Sequence, residues 1–381
     1  MNRILTINSL QDAARELKKI NVSSRGVEVM APKALGLSIK LSNVKLGAAN
    51  ILKQEMLSIG GDAAVAKGVV NGKLETSDLI LLGNLDKIKK DLINMIDTLE
   101  NPQKMFLNCN VIKLKLDETR IIGILNATPD SFSDGNLYYK TEEAVQHALD
   151  MISEGADIID IGGESTRPGA MKINADSELK RVIPIIEKIR RKSEIPISID
   201  TNKAEVAKIA IQAGASIIND ISALRFDVGM VKVLQKFPEV PIILMHMQGT
   251  PETMQDDPYY EDVIEDILLF FEERINFCQE NGIKRERIII DPGIGFGKRQ
   301  EDNLTILKKL SEFKCFGVPV LIGASRKSFI KKVYDSIATE RLAGSLASTA
   351  YAIQNRVELI RVHDVKEHTE FLKIMKEIRN I

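Results

Sequence analysis

From about residue 120 onward, short apolar runs alternate with longer amphipathic stretches. The runs are Ile121–Asn126, Asp157–Gly163, Pro196–Asp200, Ser216–Asp220, Pro241–His246, Ile288–Asp291, Pro319–Gly323 and Glu358–Asp364. Their near-continuous Ile, Val and Leu content is that of parallel strands buried on both faces. Between them, apolar positions recur at helical spacing over Glu142–Ser153, Ser177–Lys192, Lys203–Ala213, Tyr260–Asn281 and Glu340–Gln354. Eight such units over about 260 residues predict an α/β fold of the (β/α)8 TIM-barrel type. An open doubly wound sheet is the alternative. The count of eight, with a polar cluster after every strand, favours the closed barrel.

The first part of the chain lacks this rhythm. Asn8-Ser9 can cap a helix through Lys19 with Leu10, Ala13, Ala14 and Leu17 on one face. Ala48–Ile59 is a second helix ending at Gly60-Gly61. Leu79–Leu82 reads as a strand and Asp86–Leu99 as a helix, before Asn101-Pro102 breaks the pattern. Residues 1–115 are therefore expected to form a small α/β accessory domain, and residues 116–381 the barrel. The front part carries 17 Lys and Arg against 11 Asp and Glu, so the barrel part is the acidic one.

Composition narrows the class. The 381 residues are 44% hydrophobic, with 52 basic and 53 acidic side chains and a net charge of -1. That balance builds a sizeable core and leaves no global basic footprint for nucleic acid. No uncharged run reaches bilayer-spanning length. Cys109, Cys278 and Cys315 are far apart, which argues against structural zinc and suits a reducing compartment. The expectation is a cytoplasmic protein that binds neither nucleic acid nor membrane.

In a barrel, chemistry belongs at the C-terminal ends of the strands. Those ends supply Asn126, Asp160, Asp200, Asn219-Asp220, His246, Asp291, Lys327 and Arg361 with His363. Arg361 and His363, two apart on one strand, point the same way, and Thr166 and Arg167 add anion-binding donors from a loop. An ion pair of Arg361 with Asp364 is the plainer reading of that arginine. Asp160, Asp200, Asn219 and Asp291 can read a flat heterocycle bearing ring N–H, amino and carbonyl groups, with Lys327 donating to it. Glycosidase carboxylates or simple salt bridging at the mouth are the competing readings. A sequence without Trp suits a sugar site poorly. Thr128–Gly135, with Phe132 in its middle, and Glu164–Gly169 are candidate lids. The run Gly293–Lys298 is no phosphate loop, because Arg299 stands where Ser or Thr is needed. It reads as a turn bringing Phe296 to the mouth. His246, flanked by Met245 and Met247, reads as a packed histidine.

Taken together, Gly123–Gly135, Asp160–Gly169, Ser198–Thr201, Ile218–Asp220, Met245–Gly249, Asp291–Lys298, Ser325–Phe329 and Arg361–Asp364 resemble the dihydropteroate synthases in motif and order. The resemblance covers residues 118–381 and implies the same barrel. It implies condensation of 6-hydroxymethyl-7,8-dihydropterin diphosphate with p-aminobenzoate, releasing diphosphate through a pterin cation, in folate biosynthesis. Carried over by motif, the pterin sits among Asp200, Asn219, Asp291 and Lys327, lined by Met245, Phe296 and Gly323. Asn126, Arg361 and His363 hold the diphosphate, Asn126 with a magnesium ion. Phe132, Thr166, Arg167 and Pro168 build the arylamine pocket, and Ser328 meets its carboxylate. A homodimer is implied as well. Two relatives in chemistry stay open: the same reaction on a ribosylated aminobenzene, as in methanopterin biosynthesis, and a pterin-dependent corrinoid methyltransferase.

Overall fold

The computed structural model describes residues 9–66, 69, 74–84, 105–109, 112–127, 137–165 and 172–380. It divides into two compact units, Met1–Asp97 and Thr98–Ile381.

The front unit runs α1 (Leu10–Lys19), α2 (Ser24–Met30), β1 (Gly36–Lys45), α3 (Leu46–Ser58), β2 (Asp62–Val65) and β3 (Thr76–Asn84). Ser9 caps α1, its Oγ accepting from the Asp12 amide at 3.1 Å. The strands form an antiparallel sheet in the order β1-β3-β2. Ala49 and Met56 of α3 close a small core with Ile39, Ala63, Leu79 and Leu81. The strand expected at Leu79–Leu82 is thus longer and has two neighbours. The helix expected at Asp86–Leu99 lies outside the described residues.

The second unit opens with a hairpin, β4 (Phe106–Cys109) and β5 (Ile112–Lys115). Eight parallel strands follow: β6 (Arg120–Asn126), β7 (Ile158–Gly162), β8 (Ile197–Asp200), β9 (Ile217–Asp220), β10 (Ile242–Met245), β11 (Ile288–Asp291), β12 (Leu321–Ile322) and β13 (Leu359–Val362). They pair in the order β11-β10-β9-β8-β7-β6-β13-β12, and a parallel bridge between Ile290 and Val320 joins the two ends. The outer helices are α4 (Leu137–Glu154), α5 (Ala175–Arg190), α6 (Ala204–Ala213), α7 (Gly229–Lys236), α8 (Val263–Glu280), α9 (Gln300–Lys308), α10 (Ser328–Lys331), α11 (Leu342–Gln354) and α12 (Val365–Asn380). This is the (β/α)8 barrel expected from the sequence.

Strand alternation sorts the side chains into layers. Ile121, Ile159, Ile218, Ile242, Ile288 and Ile360 point outward into the helix-covered core. Their neighbours Ile122, Ile158, Ile217, Ile243, Ile289, Leu321 and Leu359 point inward and pack on Leu107, Cys109 and Leu116. The hairpin therefore fills the lower end of the barrel, and its Leu107 is fully buried there.

That packing moves the domain boundary. Composition suggested 115/116, but the hairpin shares its core with the barrel strands and the units divide at 97/98. A charged, alternating strand such as Ile112–Lys115 resembles linker when read alone; only the barrel interior reveals its role. A fragment beginning at residue 98 is expected to unfold cooperatively and keep the mouth intact. One beginning at Leu116 loses Leu107 and Cys109 from the core and is expected to be at least about 3 kcal/mol less stable. Urea titration of the two fragments checks this.

Candidate active site

Two residues beyond the apolar inward layer, four of the seven strands turn polar. Ile122 leads to Ile124, Ile158 to Asp160, Ile217 to Asn219, Ile243 to Met245, Ile289 to Asp291, Leu321 to Gly323 and Leu359 to Arg361. On β8 the inward pair is Ser198 and Asp200. Period-two geometry aims all of these at one axis. Above them lies a cleft, partly open to solvent. Asp200, Asn219, Met245, Asp291, Phe296, Gly323, Lys327, Arg361 and His363 all line it.

Arg361 organises one side. Its Nε donates to Asp160 Oδ2 at 2.6 Å and its Nη2 to Asp200 Oδ2 at 2.9 Å. Asn219 Nδ2 reaches the same Asp160 at 3.3 Å. Asp160 is fully buried and does not line the cavity, and its partners are Arg361 and Asn219. The expected alternative pair of Arg361 with Asp364 is not formed; Asp364 binds Arg326 instead. Burial pushes the Asp200 carboxyl up to about 7, with the Arg361 charge pulling against it. Two of the three guanidinium nitrogens are thus tied to carboxylates.

Asp291 and Lys327 organise the other side. Asp291 Oδ1 accepts from the Gly293 amide at 2.8 Å. Lys327 Nζ donates to the Ile294 carbonyl at 2.8 Å and stands 4.0 Å over the Phe296 ring. Burial brings its ammonium down to about 8, although Asp291 opposes the fall. The turn carrying Phe296 packs against the end of β10 without room for side chains. A Cβ on Gly293, whose φ is +71°, would lie 2.1 Å from the His246 carbonyl oxygen. Beneath it, Lys298 Nζ donates to the Phe296 carbonyl and to His246 Nδ1, both at 3.0 Å. Burial and the Lys298 charge hold His246 well below its ordinary pKa, and its ring packs edge-on to Phe270 at 4.8 Å. Lys298 is a residue the sequence reading passed over as part of a failed phosphate motif. A lysine directly after a Gly-x-Gly-x-Gly turn, with no hydroxyl following, was the available signal.

The rim completes the site. The His363 backbone N–H donates to Ser325 Oγ, and its Nδ1 hydrogen-bonds the same hydroxyl, both at 3.2 Å. Burial, reinforced by Arg361, lowers its imidazole to about 3, so it acts as a neutral group. Asn126 ends β6 on the inward face two residues above Ile124, outside the cavity lining. Ser328 is not brought in: it is exposed at the head of α10, while Ser325, three residues earlier, lines the cavity. The Asn219-Asp220 pair divides in the same way. Asn219 faces inward, and Asp220 accepts from Ser222 and Leu224 to fix the loop after β9. Phe132, Thr166, Arg167 and Pro168 lie outside the described residues.

A mouth with carboxylates, an amide and a lysine around one cleft, an apolar wall of Met245 and Phe296 and an arginine at one side defines a barrel enzyme for a hydrogen-bonding heterocycle. The pterin binding enzyme family model matches residues 122–363. The dihydropteroate synthase of Escherichia coli K12 is 45% identical over 263 residues, 69% of this chain and 93% of that one. A structure of the Xanthomonas albilineans dihydropteroate synthase with 4-aminobenzoic acid is 42% identical, with a TM-score of 0.68 over 72% of this chain and 98% of its own. A probable bifunctional folylpolyglutamate synthase/dihydropteroate synthase of Haloferax volcanii is 34% identical over 97% of this chain and 46% of its own, so that match includes the front unit. The chain belongs to the dihydropteroate synthases of the pterin-binding enzyme family, and is a transferase. No helix among the described residues is long and apolar enough to cross a membrane.

Proposed function

We propose that the protein joins 6-hydroxymethyl-7,8-dihydropterin diphosphate to p-aminobenzoate, giving 7,8-dihydropteroate and diphosphate, in folate biosynthesis. The observation that carries this reading is the convergence of Asp200, Asn219, Asp291 and Lys327 on one cavity walled by Met245 and Phe296. Carboxylates accept the ring and amino N–H groups, and Lys327 donates to a ring acceptor. The carbon–oxygen bond to diphosphate breaks with its electrons leaving on oxygen. The arylamine nitrogen then forms the new carbon–nitrogen bond and releases a proton. Buried carboxylates beside the pterin favour its transient positive charge, and fixed donors at Arg361 and His363 favour the departing anion. Thr166, Arg167, Pro168 and Phe132 are assigned to the arylamine, and Ser328 to its carboxylate.

Magnesium fits this donor set. Asn126 offers an amide oxygen at the rim, and the described residues contain no carboxylate or histidine cluster that would form a separate metal cage. Asn126 and diphosphate oxygens would hold the ion, which supplies charge neutralisation of the diphosphate. Turnover is expected to fall to background after chelation and to return with added magnesium, and diphosphate is expected to compete with the pterin substrate. Full activity after exhaustive chelation overturns the metal assignment.

The direct test is turnover of purified protein with synthetic pterin diphosphate and either p-aminobenzoate or a ribosylated aminobenzene, reading diphosphate release and the coupled product. Preference for p-aminobenzoate is expected. We further assign the protein to the cytoplasm and to a homodimer, the latter supported by exposed Val333 and Ile337 close together in sequence after α10.

A further inference from the structure

The segment between β7 and α5 carries Thr166, Arg167 and Pro168, and its two stems are tied in an unusual way. Glu164, just beyond β7, uses one carboxylate oxygen to accept from the Ile173 amide at 2.9 Å. That bond joins the outgoing stem to the returning one. Its other oxygen binds Lys203 Nζ at 2.6 Å, and the same ammonium binds Glu178 of α5 at 2.6 Å. Glu178 is fully buried, and its second oxygen has no hydrogen-bond partner among the described residues. Arg181 of α5 donates to the Gly163 carbonyl at 2.8 Å. A Cβ on Gly163 would come within 2.8 Å of both Glu178 and Val182, so the stem lies directly on the helix.

Lys203 also connects this clamp to the pterin side. It follows Asp200 by three residues, and its backbone N–H donates to Thr201 Oγ1 at 3.2 Å. Thr201 in turn donates its amide to the Asn219 carbonyl at 3.0 Å. Lys203 thus reaches the strand ends that bear Asp200 and Asn219 through its backbone N–H, and Glu164 and Glu178 through its ammonium. Burial alone would weaken the Lys203 charge, but Glu164 and Glu178 more than offset it. A surface pair would carry little such consequence. Here one carboxylate is fully enclosed and the stems are fixed through it.

We propose that Glu164 and Lys203 are positioning residues for arylamine capture: the Glu164–Lys203–Glu178 clamp fixes Glu164 and Ile173, on either side of the arylamine segment, to each other and to α5. The proposal rests on the assignment of Thr166, Arg167 and Pro168 to the arylamine. It predicts a split between the two substrates, since neither clamp residue lines the cavity.

The test uses the full chain with Glu164→Gln, Lys203→Met and Lys203→Arg. Glu164→Gln keeps an oxygen for the Ile173 amide and removes only the charge facing Lys203, so it tests the clamp even where Lys203→Met fails to fold. The KM for p-aminobenzoate is expected to rise about tenfold in Glu164→Gln, equivalent to about 1.4 kcal/mol. A larger rise is expected in Lys203→Met, with partial recovery in Lys203→Arg. Pterin affinity, read by calorimetry, is expected to stay within about twofold. An unchanged arylamine KM in Glu164→Gln, or a parallel loss of pterin affinity, overturns the clamp. A lowered melting temperature with both substrates unaffected shows a structural tie only and also overturns it. Absence of turnover in the unsubstituted protein refutes the function itself, a separate result.

Discussion

Replacing Asp291 with Asn is expected to weaken pterin binding by roughly a hundredfold, about 3 kcal/mol. The residue is 7% exposed at the end of β11, and Oδ1 is already occupied by the Gly293 amide. Oδ2 is free to face the cavity opposite Gly323, where a Cβ would lie 3.9 Å from it. An asparagine keeps one acceptor but turns an amino group toward a ligand N–H, so two donors meet in a buried space. The change also removes the carboxylate that sustains the Lys327 charge. Lys327→Ala is therefore expected to cost a similar amount, and the two together less than their sum, because each weakens the other's contact. Calorimetry on the two single variants and the double variant checks this, and unchanged affinity in either single variant removes that residue from the pterin subsite.

Arg361→Met is expected to abolish measurable turnover and to destabilise the barrel by about 3–5 kcal/mol, the usual cost of leaving a buried charge partner unpaired. Asp160 is fully buried and Asp200 partly so, and Arg361 is the cation both of them pair with. Without it, burial and mutual repulsion raise the Asp200 carboxyl further above the 7 it already reaches. A native carboxyl raised above its unfolded value of about 3.9 binds protons that the unfolded chain does not. Stability from such a group is full below the unfolded value and is lost as pH climbs through the native one. The deficit of Arg361→Met is therefore expected to be smaller at pH 5 than at pH 8. Urea melts at the two pH values measure it, and a deficit that grows on acidification contradicts the pairing.

The barrel was legible because its strands are short, almost purely aliphatic and end in polar residues. Ile288-Ile289-Ile290-Asp291 states both facts in four letters: two faces to bury, then a group that cannot be buried without a partner. Asp200, Asn219, Asp291 and Arg361 follow from that rule and line the cavity. What the rule cannot give is pairing across the barrel. The sequence neighbour of Arg361 is Asp364, yet its partners are 161 and 201 residues away. Position within a short loop is equally hard to read: Ser325 lines the cavity, whereas Ser328, three residues on, is exposed at the head of α10. In the front unit, the alternation Leu37, Ile39, Leu41 against Ser38, Lys40, Ser42 does spell a strand, but it sits in a region whose glycines and charges obscure the period.

The hairpin that fills the lower end of the barrel has a consequence for how the chain is made. It leaves the ribosome before any of its seat exists, since that seat is assembled from residues as far along as Leu359. The first barrel strand likewise pairs with the last, Arg120 bonding to the Glu358 carbonyl. A two-stranded hairpin has little stability alone, so Leu107 and its neighbours remain uncovered until nearly the whole polypeptide has emerged. Closure of so distant a contact is slow, and exposed apolar surface in the interval invites association. Newborn chains of this protein are accordingly most vulnerable just before their final strand appears, a window in which a chaperone would find Leu107 and Cys109 still without their partners.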